Sequence, residues 1–178
     1  MTIFFSNLLI HLTERGGAMK KTFVFLLGAL FAFSACAQMD KTAEANAALA
    51  DRFAAEAWNN GNLDLIDEII ADDFVRHLPN SWDTSKIEGA AAFKEYMANI
   101  RTVYPDFHVQ IHKRIADGDM VASSWTVSGT NQELNKKISI MGMTMTRYAD
   151  GKAAEEWVTW DTAGMQSQLA ATEETSMK

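Results

Sequence analysis

The chain has a single cysteine, Cys36, in 178 residues, which excludes an internal disulfide and a thiolate zinc cluster. Only two prolines are present, so it is not a proline-rich linker protein. Basic residues are scarce: Lys+Arg 16 against Asp+Glu 23 gives a formal charge of -7. Wrapping nucleic acid needs a basic face to displace phosphate counterions, and this balance argues against it. Glycine-rich phosphate loops, a nucleophile-elbow serine and a dinucleotide fingerprint are all missing. The longest uncharged apolar run, Thr22 to Ala37, has 16 residues and falls short of the roughly 20 that a spanning helix needs. What is present is 48% apolar and 22% charged residues. That composition builds one compact domain with a sizeable core and does not describe a disordered chain.

The amino terminus reads as an address. Met19-Lys20-Lys21 precedes TFVFLLGALFAFSACA, a basic segment followed by an apolar one, as in a secretory signal. Phe33-Ser34-Ala35-Cys36 resembles the bacterial lipoprotein signal, with Phe33 where leucine is usual. There the cysteine is lipidated and becomes the new amino terminus, and its acyl chains bury methylenes in the bilayer. An ordinary signal peptide cut after Ala35 or Ala37 is the alternative. The lipoprotein reading is preferred because the only cysteine sits just past the apolar run among small residues. Ala37, not Asp, follows Cys36, and by resemblance to Gram-negative sorting this implies the outer membrane, facing the periplasm or the cell surface; without lipid the domain is periplasmic or secreted. Contact with the membrane is expected only through the anchor.

The expected organisation is therefore 1–18 as an upstream extension, 19–35 as signal peptide, Cys36 as lipidation site, 36–44 as tether, 45–170 as the domain and 171–178 as a tail. Residues 1–18 fit badly ahead of a signal, since Glu14 and Arg15 interrupt it, and translation is expected to start at Met19. After Cys36 there are 13 basic and 22 acidic residues, a net -9.

Within the domain, Leu49, Phe53 and Ala57, flanked by Ala50, Ala54 and Trp58, form a helical stripe over Thr42 to Asn60. Asn60-Gly61 stops it. Asn62 is expected to cap a second helix that buries Leu63, Ile66 and Ile70. Phe74 to Leu78 reads as a strand ended by Pro79, and Trp82 falls in a loop. A third helix is expected from Glu88 to Tyr104, stopped by Pro105. Four strands follow, with hairpin turns at Asp117-Gly118-Asp119 and Asp150-Gly151. In Ile138 to Tyr148, Ile138 and Ile140 share one face and Met141, Met143 and Met145 the other. Thr162 to Ala171 reads as a short closing helix. This order defines an α+β fold, cone-shaped, with three helices packed on a curved, mainly antiparallel sheet and a cavity at the open end.

Several motifs then carry a resemblance. They are Trp58-Asn59-Asn60-Gly61-Asn62-Leu63-Asp64, Asp73-Phe74-Val75-Arg76-His77-Leu78-Pro79 and Tyr104-Pro105-Asp106-Phe107-His108-Val109. Gly118-Asp119-Met120-Val121-Ala122, Trp125 to Thr130, Asp150-Gly151-Lys152 and Glu155 to Asp161 complete an ordered set over residues 45–170. The set resembles SnoaL-like polyketide cyclases, also called ester cyclases, of the nuclear transport factor two-like superfamily. The resemblance implies a cone-shaped pocket and sheets that pair back to back, hence a homodimer. In those cyclases a last-strand carboxylate removes a proton from an activated carbon, work that needs a base within hydrogen-bond reach of the carbon acid. Matching the family's E-H-W-D-V-W-D onto Glu155 to Asp161 puts Val158 where the catalytic Asp is expected, and Val158 cannot transfer a proton.

The candidate catalytic residues are thus Glu156, as a displaced base, and His77, which by resemblance faces the cavity. Against these stand an ion-paired Glu156 and a His77 hydrogen-bonded beside the Pro79 turn. Trp58, Tyr96, Trp125, Met143 and Trp160 are candidate substrate-binding side chains; each also fits ordinary core packing. His108 and His112 are four residues apart on a strand, about 13 Å, too far to share one ion. No metal or cofactor is expected. The favoured function is binding of a small, mostly apolar molecule in the cone. The alternatives are a cyclase or isomerase using Glu156 and His77, and a non-catalytic dimerisation or partner-binding module. A pocket holding Glu156 and His77 together favours catalysis; one without ionisable groups favours binding; a filled cone with an exposed apolar sheet face favours a partner role.

Overall fold

A long helix opens the fold: α1 runs over residues 41–52 and continues as a π-helical segment, Phe53–Asn59. The structure is a computed structural model that describes residues 41–79 and 85–170. Expectations for the signal segment, for Cys36, for Trp82 and for the tail lie outside those residues. Residues 41–44, assigned above to the tether, are already helical. From Thr42 onward the described elements belong to one compact unit.

The wider π turn brings Phe53 and Trp58, five residues apart, edge to face with centroids 6.2 Å apart. It ends at Asn60, and Gly61 follows with φ +72°. Asn59 then ties the helix end to the sheet: its side chain accepts from Val109 N–H at 2.7 Å and donates to Val109 C=O at 3.0 Å.

The second helix, α2, is only Leu65–Ile69, and Asp64, not Asn62, occupies its cap position. It buries Leu65, Ile66 and Ile69. Ile70 is not helical but opens strand β1, Ile70–His77. A run such as Ile69-Ile70 fits either period, and pairing with the last strand decides it. β2, Lys86–Glu88, is a short edge strand without apolar alternation and was not expected. Helix α3, Ala90–Val103, fully buries Phe93 and Met97. Strands β3 (His108–Asp117), β4 (Met120–Asn131), β5 (Lys136–Ala149) and β6 (Lys152–Trp160) follow, then helix α4 (Thr162–Ala170). Asp161 caps α4 by accepting from Gly164 N–H at 2.8 Å, and Gln168 fastens it to the backbone of Ser139.

The sheet is mixed, with order β2-β1-β6-β5-β4-β3. The β1–β6 pair is parallel and the others antiparallel. The architecture is α+β as expected, and the short closing helix brings the helices among the described residues to four. Ile66, Ile69, Phe74, Phe93 and Met97 fill the layer between helices and sheet. Each such side chain contributes about 1.5–3 kcal/mol by leaving water. No helix among the described residues is long and apolar enough to cross a membrane.

One irregularity positions the site. The β5–β6 register shifts so that Tyr148 opposes Ala153 while Arg147 opposes Glu155, which leaves Ala154 as the extra residue of a bulge. Ala153 and Glu156, three apart, therefore line the same inner face. Ala154 does not share that face with Glu156 and Trp160, as strict alternation predicts.

Candidate functional site

A cavity of about 230 Å³ lies between the helices and the inner face of the sheet. Its wall is mostly apolar, with Phe53, Phe74, Trp125, Val127 and Ile140 among its members. Met165 of α4 reaches it as well.

Three neighbouring strands supply its polar wall. Arg76 on β1 stands opposite Glu156 on β6, and Glu156 stands opposite Thr146 on β5. Arg76 Nη1 donates to Glu156 Oε1, and Thr146 Oγ1 donates to Oε2 at 3.3 Å. The two charged side chains are 6% and 10% exposed. A lone ion at that depth costs several kcal/mol, so each makes the other tolerable. The Arg76 guanidinium also lies over the rings of Trp58, Phe93 and Tyr96, at 5.6, 5.4 and 5.5 Å from their centroids. Cation–π contacts of this kind are worth about 2 kcal/mol when desolvated.

Two donors in this wall are left over. Arg76 Nε and Trp160 Nε1 are buried and have no hydrogen-bond partner among the described residues. Nearby, burial and the Glu156 charge push the Tyr148 phenol up, so it stays protonated at neutral pH. Arg114 lines the cavity too, but its charge is answered by Asp51, and its Nε donates to Ser123 Oγ at 2.9 Å.

Of the residues singled out in the sequence, Trp58, Tyr96, Trp125, Trp160 and Glu156 lie on the cavity wall. His77 and Met143 do not. His77 belongs to the opposite side of β1 from Arg76, because successive strand residues alternate faces. Its Nε2 is 2.9 Å from Glu155 Oε1, and its ring stacks on Trp157 at 5.3 Å and 2°. Glu155 is held below the usual carboxylate range, first by the His77 bond and then by Arg147. Met143 is 55% exposed on the outer face, with Met141 and Met145. Glu156 and His77 are thus on opposite sides of the sheet. Val158 is fully buried, packed with Val127 and Ile140. His108 and His112 are exposed, and among the described residues no group of three or more His, Cys, Asp or Glu is placed to hold a metal.

Arg76 is the site residue that sequence reasoning missed. A signal existed: Phe74 is buried inward, and alternation from Phe74 sends Arg76 inward and His77 outward.

A mixed sheet with helices on one face and a largely apolar cavity between them is the nuclear transport factor two-like fold. The sequence profile of SnoaL-like polyketide cyclases matches residues 48–169, and the chain belongs to that family. Among solved structures, a proposed SnoaL-like polyketide cyclase from Jannaschia sp. CCS1 is similar at 17% identity and a TM-score of 0.67, over 74% of this chain and 95% of that one. A proposed polyketide cyclase from Acidithiobacillus ferrooxidans is 26% identical, with a TM-score of 0.62 over 70% and 94%. A proposed hydroxylase from Streptomyces galilaeus is 22% identical, with a TM-score of 0.62 over 71% and 96%. A search of curated proteins gave no significant match. Neighbours with different proposed reactions share this fold, so the reaction must be argued from the site.

Proposed function

We propose that the chain binds a small, mostly apolar molecule in the cavity between helices and sheet. The supporting observation is the wall itself: apolar on most sides, with Glu156, the one carboxylate among its described residues, already neutralised by Arg76. A carboxylate committed to a guanidinium is a poor general base, since removing a proton from carbon would require giving up that pair. Val158 at the position where the resemblance expects an acid points the same way. Native mass spectrometry of the full chain purified from its own host tests this. The expected result is a retained small molecule, lost on denaturation; a protein free of ligand under conditions that retain weak complexes would count against it.

The catalytic reading keeps one observation in its favour, a carboxylate on an apolar-walled cavity. Its partner there is Arg76, not His77. On that reading Glu156→Gln abolishes turnover of any substrate found, and unchanged turnover removes Glu156 from the chemistry.

The location proposed is outside the cytoplasm, anchored by lipid at Cys36. Radiolabelled palmitate should enter the wild-type protein and not Cys36→Ser. The proposed assembly is a homodimer through the outer sheet face. The row Ile115, Ala122, Met145 and Trp157 crosses four strands of that face without a charge, and Met141 and Met143 extend it.

A further inference from the structure

The outer face of the sheet carries an arrangement that neither the cavity nor the core uses. Met141, Met143 and Met145 stand there in a row on β5, 64%, 55% and 43% exposed. A flexible thioether ordinarily fills gaps in a core, and these three give up most of that packing. An imidazole reaches toward the same row. β3 bulges at His112: Ile111 opposes Trp125 and Lys113 opposes Ser124, so His112 is the extra residue. Its Nε2 is 2.7 Å from Thr126 Oγ1. Thr126 is the direct cross-strand partner of Met141, and Ser124, two residues earlier on the same face, is the partner of Met143. The His112 ring therefore leans over β4, the strand between its own and the methionines.

We propose that Met141, Met143 and His112 form a surface site for a soft monovalent cation, copper(I). Residues two apart on a strand are about 6.8 Å apart, and neighbouring strands about 4.8 Å. Two sulfurs on one ion, with bonds of about 2.3 Å, sit no more than about 4.6 Å from each other. Thioether side chains with three rotatable bonds close that difference by leaning together, and the imidazole approaches from across β4. Met145, about 13 Å from Met141, stays outside the set. The ligand chemistry selects the ion. Thioether sulfur favours copper(I), and all three ligands are neutral. Hard cations need several oxygen ligands, and among the described residues no His, Cys, Asp and Glu group is placed to hold one. Lys113, next to His112 and exposed, adds a positive charge, which disfavours a divalent ion more than a monovalent one. The site lies across the sheet from the cavity and stands whether or not a small molecule binds there. It shares the face proposed for pairing, so the ion and a second copy compete for it.

The test uses silver(I), which shares the charge and ligand preference of copper(I) and is stable in air. The full chain carries Cys36→Ser, because a thiolate would take the ion first. Its methionine methyl groups are labelled with carbon-13 and followed by NMR as silver nitrate is added without chloride. The expected result is one silver ion per chain, with the Met141 and Met143 methyl signals shifting and that of the fully buried Met97 unchanged. Met141→Leu and Met143→Leu assign those signals. Each of them, and His112→Asn, should weaken silver binding about tenfold or more, since losing even a supporting partner of a metal ligand costs that much. Zinc(II) at the same concentration should leave both methyls unmoved. No silver binding overturns the site, as does binding that leaves Met141 and Met143 unshifted or that survives His112→Asn undiminished. A zinc response at the same methyls overturns it too. Sedimentation velocity on the same samples separates this site from the dimer: a chain that is monomeric throughout and shows the silver shifts keeps the site and loses the pairing. The three side chains are exposed, so their variants should fold. Should one not, the methyl and His112 ring shifts on the Cys36→Ser chain decide alone.

Discussion

Trp125 lies directly across the β4–β5 ladder from Gly142, and its indole occupies the space a side chain at 142 would need. A Cβ there would collide with the Trp125 ring and stand 2.6 Å from the Thr159 carbonyl oxygen. Gly142→Ala is therefore expected to push Trp125 out of position. Forcing extra volume into a packed site costs about 1–3 kcal/mol. Chemical denaturation should register that loss, and Trp125, on the cavity wall, should report it as altered tryptophan fluorescence.

The Arg76–Glu156 pair should be strongly coupled. Glu156→Gln leaves a buried guanidinium without its counter-charge, and Arg76→Met leaves a buried carboxylate. Each single change is expected to destabilise by about 3–5 kcal/mol. The double variant should lose much less than the sum, because neither orphan charge remains. A double-mutant cycle in urea measures this; simple additivity would show that the two residues do not share their burial.

Stability should also depend on acid at the Asp106–Thr130 contact. Asp106 accepts from Thr130 N–H at 2.6 Å and from its hydroxyl at 2.8 Å, and these bonds hold its carboxyl below the usual range. The unfolded chain, with an ordinary Asp near about 3.9, takes up the proton first as pH falls. The contribution is therefore complete above the unfolded value and is lost as pH drops through the lower folded one. Asp106→Asn should be less stable than wild type at neutral pH, with the gap closing in acid. A gap that stays constant from neutral to strongly acidic pH would contradict the assignment.

On the outer face, Met143→Asp should leave the monomer's fold intact, since the side chain is more than half exposed. Sedimentation velocity is expected to show a dimer for the wild-type chain and a monomer for the variant. Ligand binding in the cavity should survive the change, because residue 143 belongs to the other side of the sheet.

Much of the fold was legible where local chemistry and periodicity agree. The opening helix and α3 followed from apolar spacing. The two hairpins followed from their turns: Gly118 and Gly151 have φ of +55° and +76°, and Asp150 adopts +51° beside Gly151. The division of β5 into an isoleucine face and a methionine face also holds. What was not legible depended on partners. β2 has no apolar pattern and exists through its pairing with β1. The bulge at Ala154 appears only in the register against β5. His77 entered as the pocket residue through the family resemblance, whereas plain alternation from Phe74 sends it outward. The same alternation sends Arg76 inward, but the groups that make its burial tolerable, Glu156 and three aromatic rings, come from other elements and no local pattern names them.

The extra residue at 154 sets the phase of the final strand. Because Ala154 is the extra residue, its loss would leave Ala153 and Glu156 on the inner wall in plain alternation, whereas one more inserted residue would bring Glu155 inward in place of Glu156. Two adjacent carboxylates thus serve the two sides of the sheet, Glu156 answering Arg76 within and Glu155 meeting His77 outside, and a single point in the chain decides which does which.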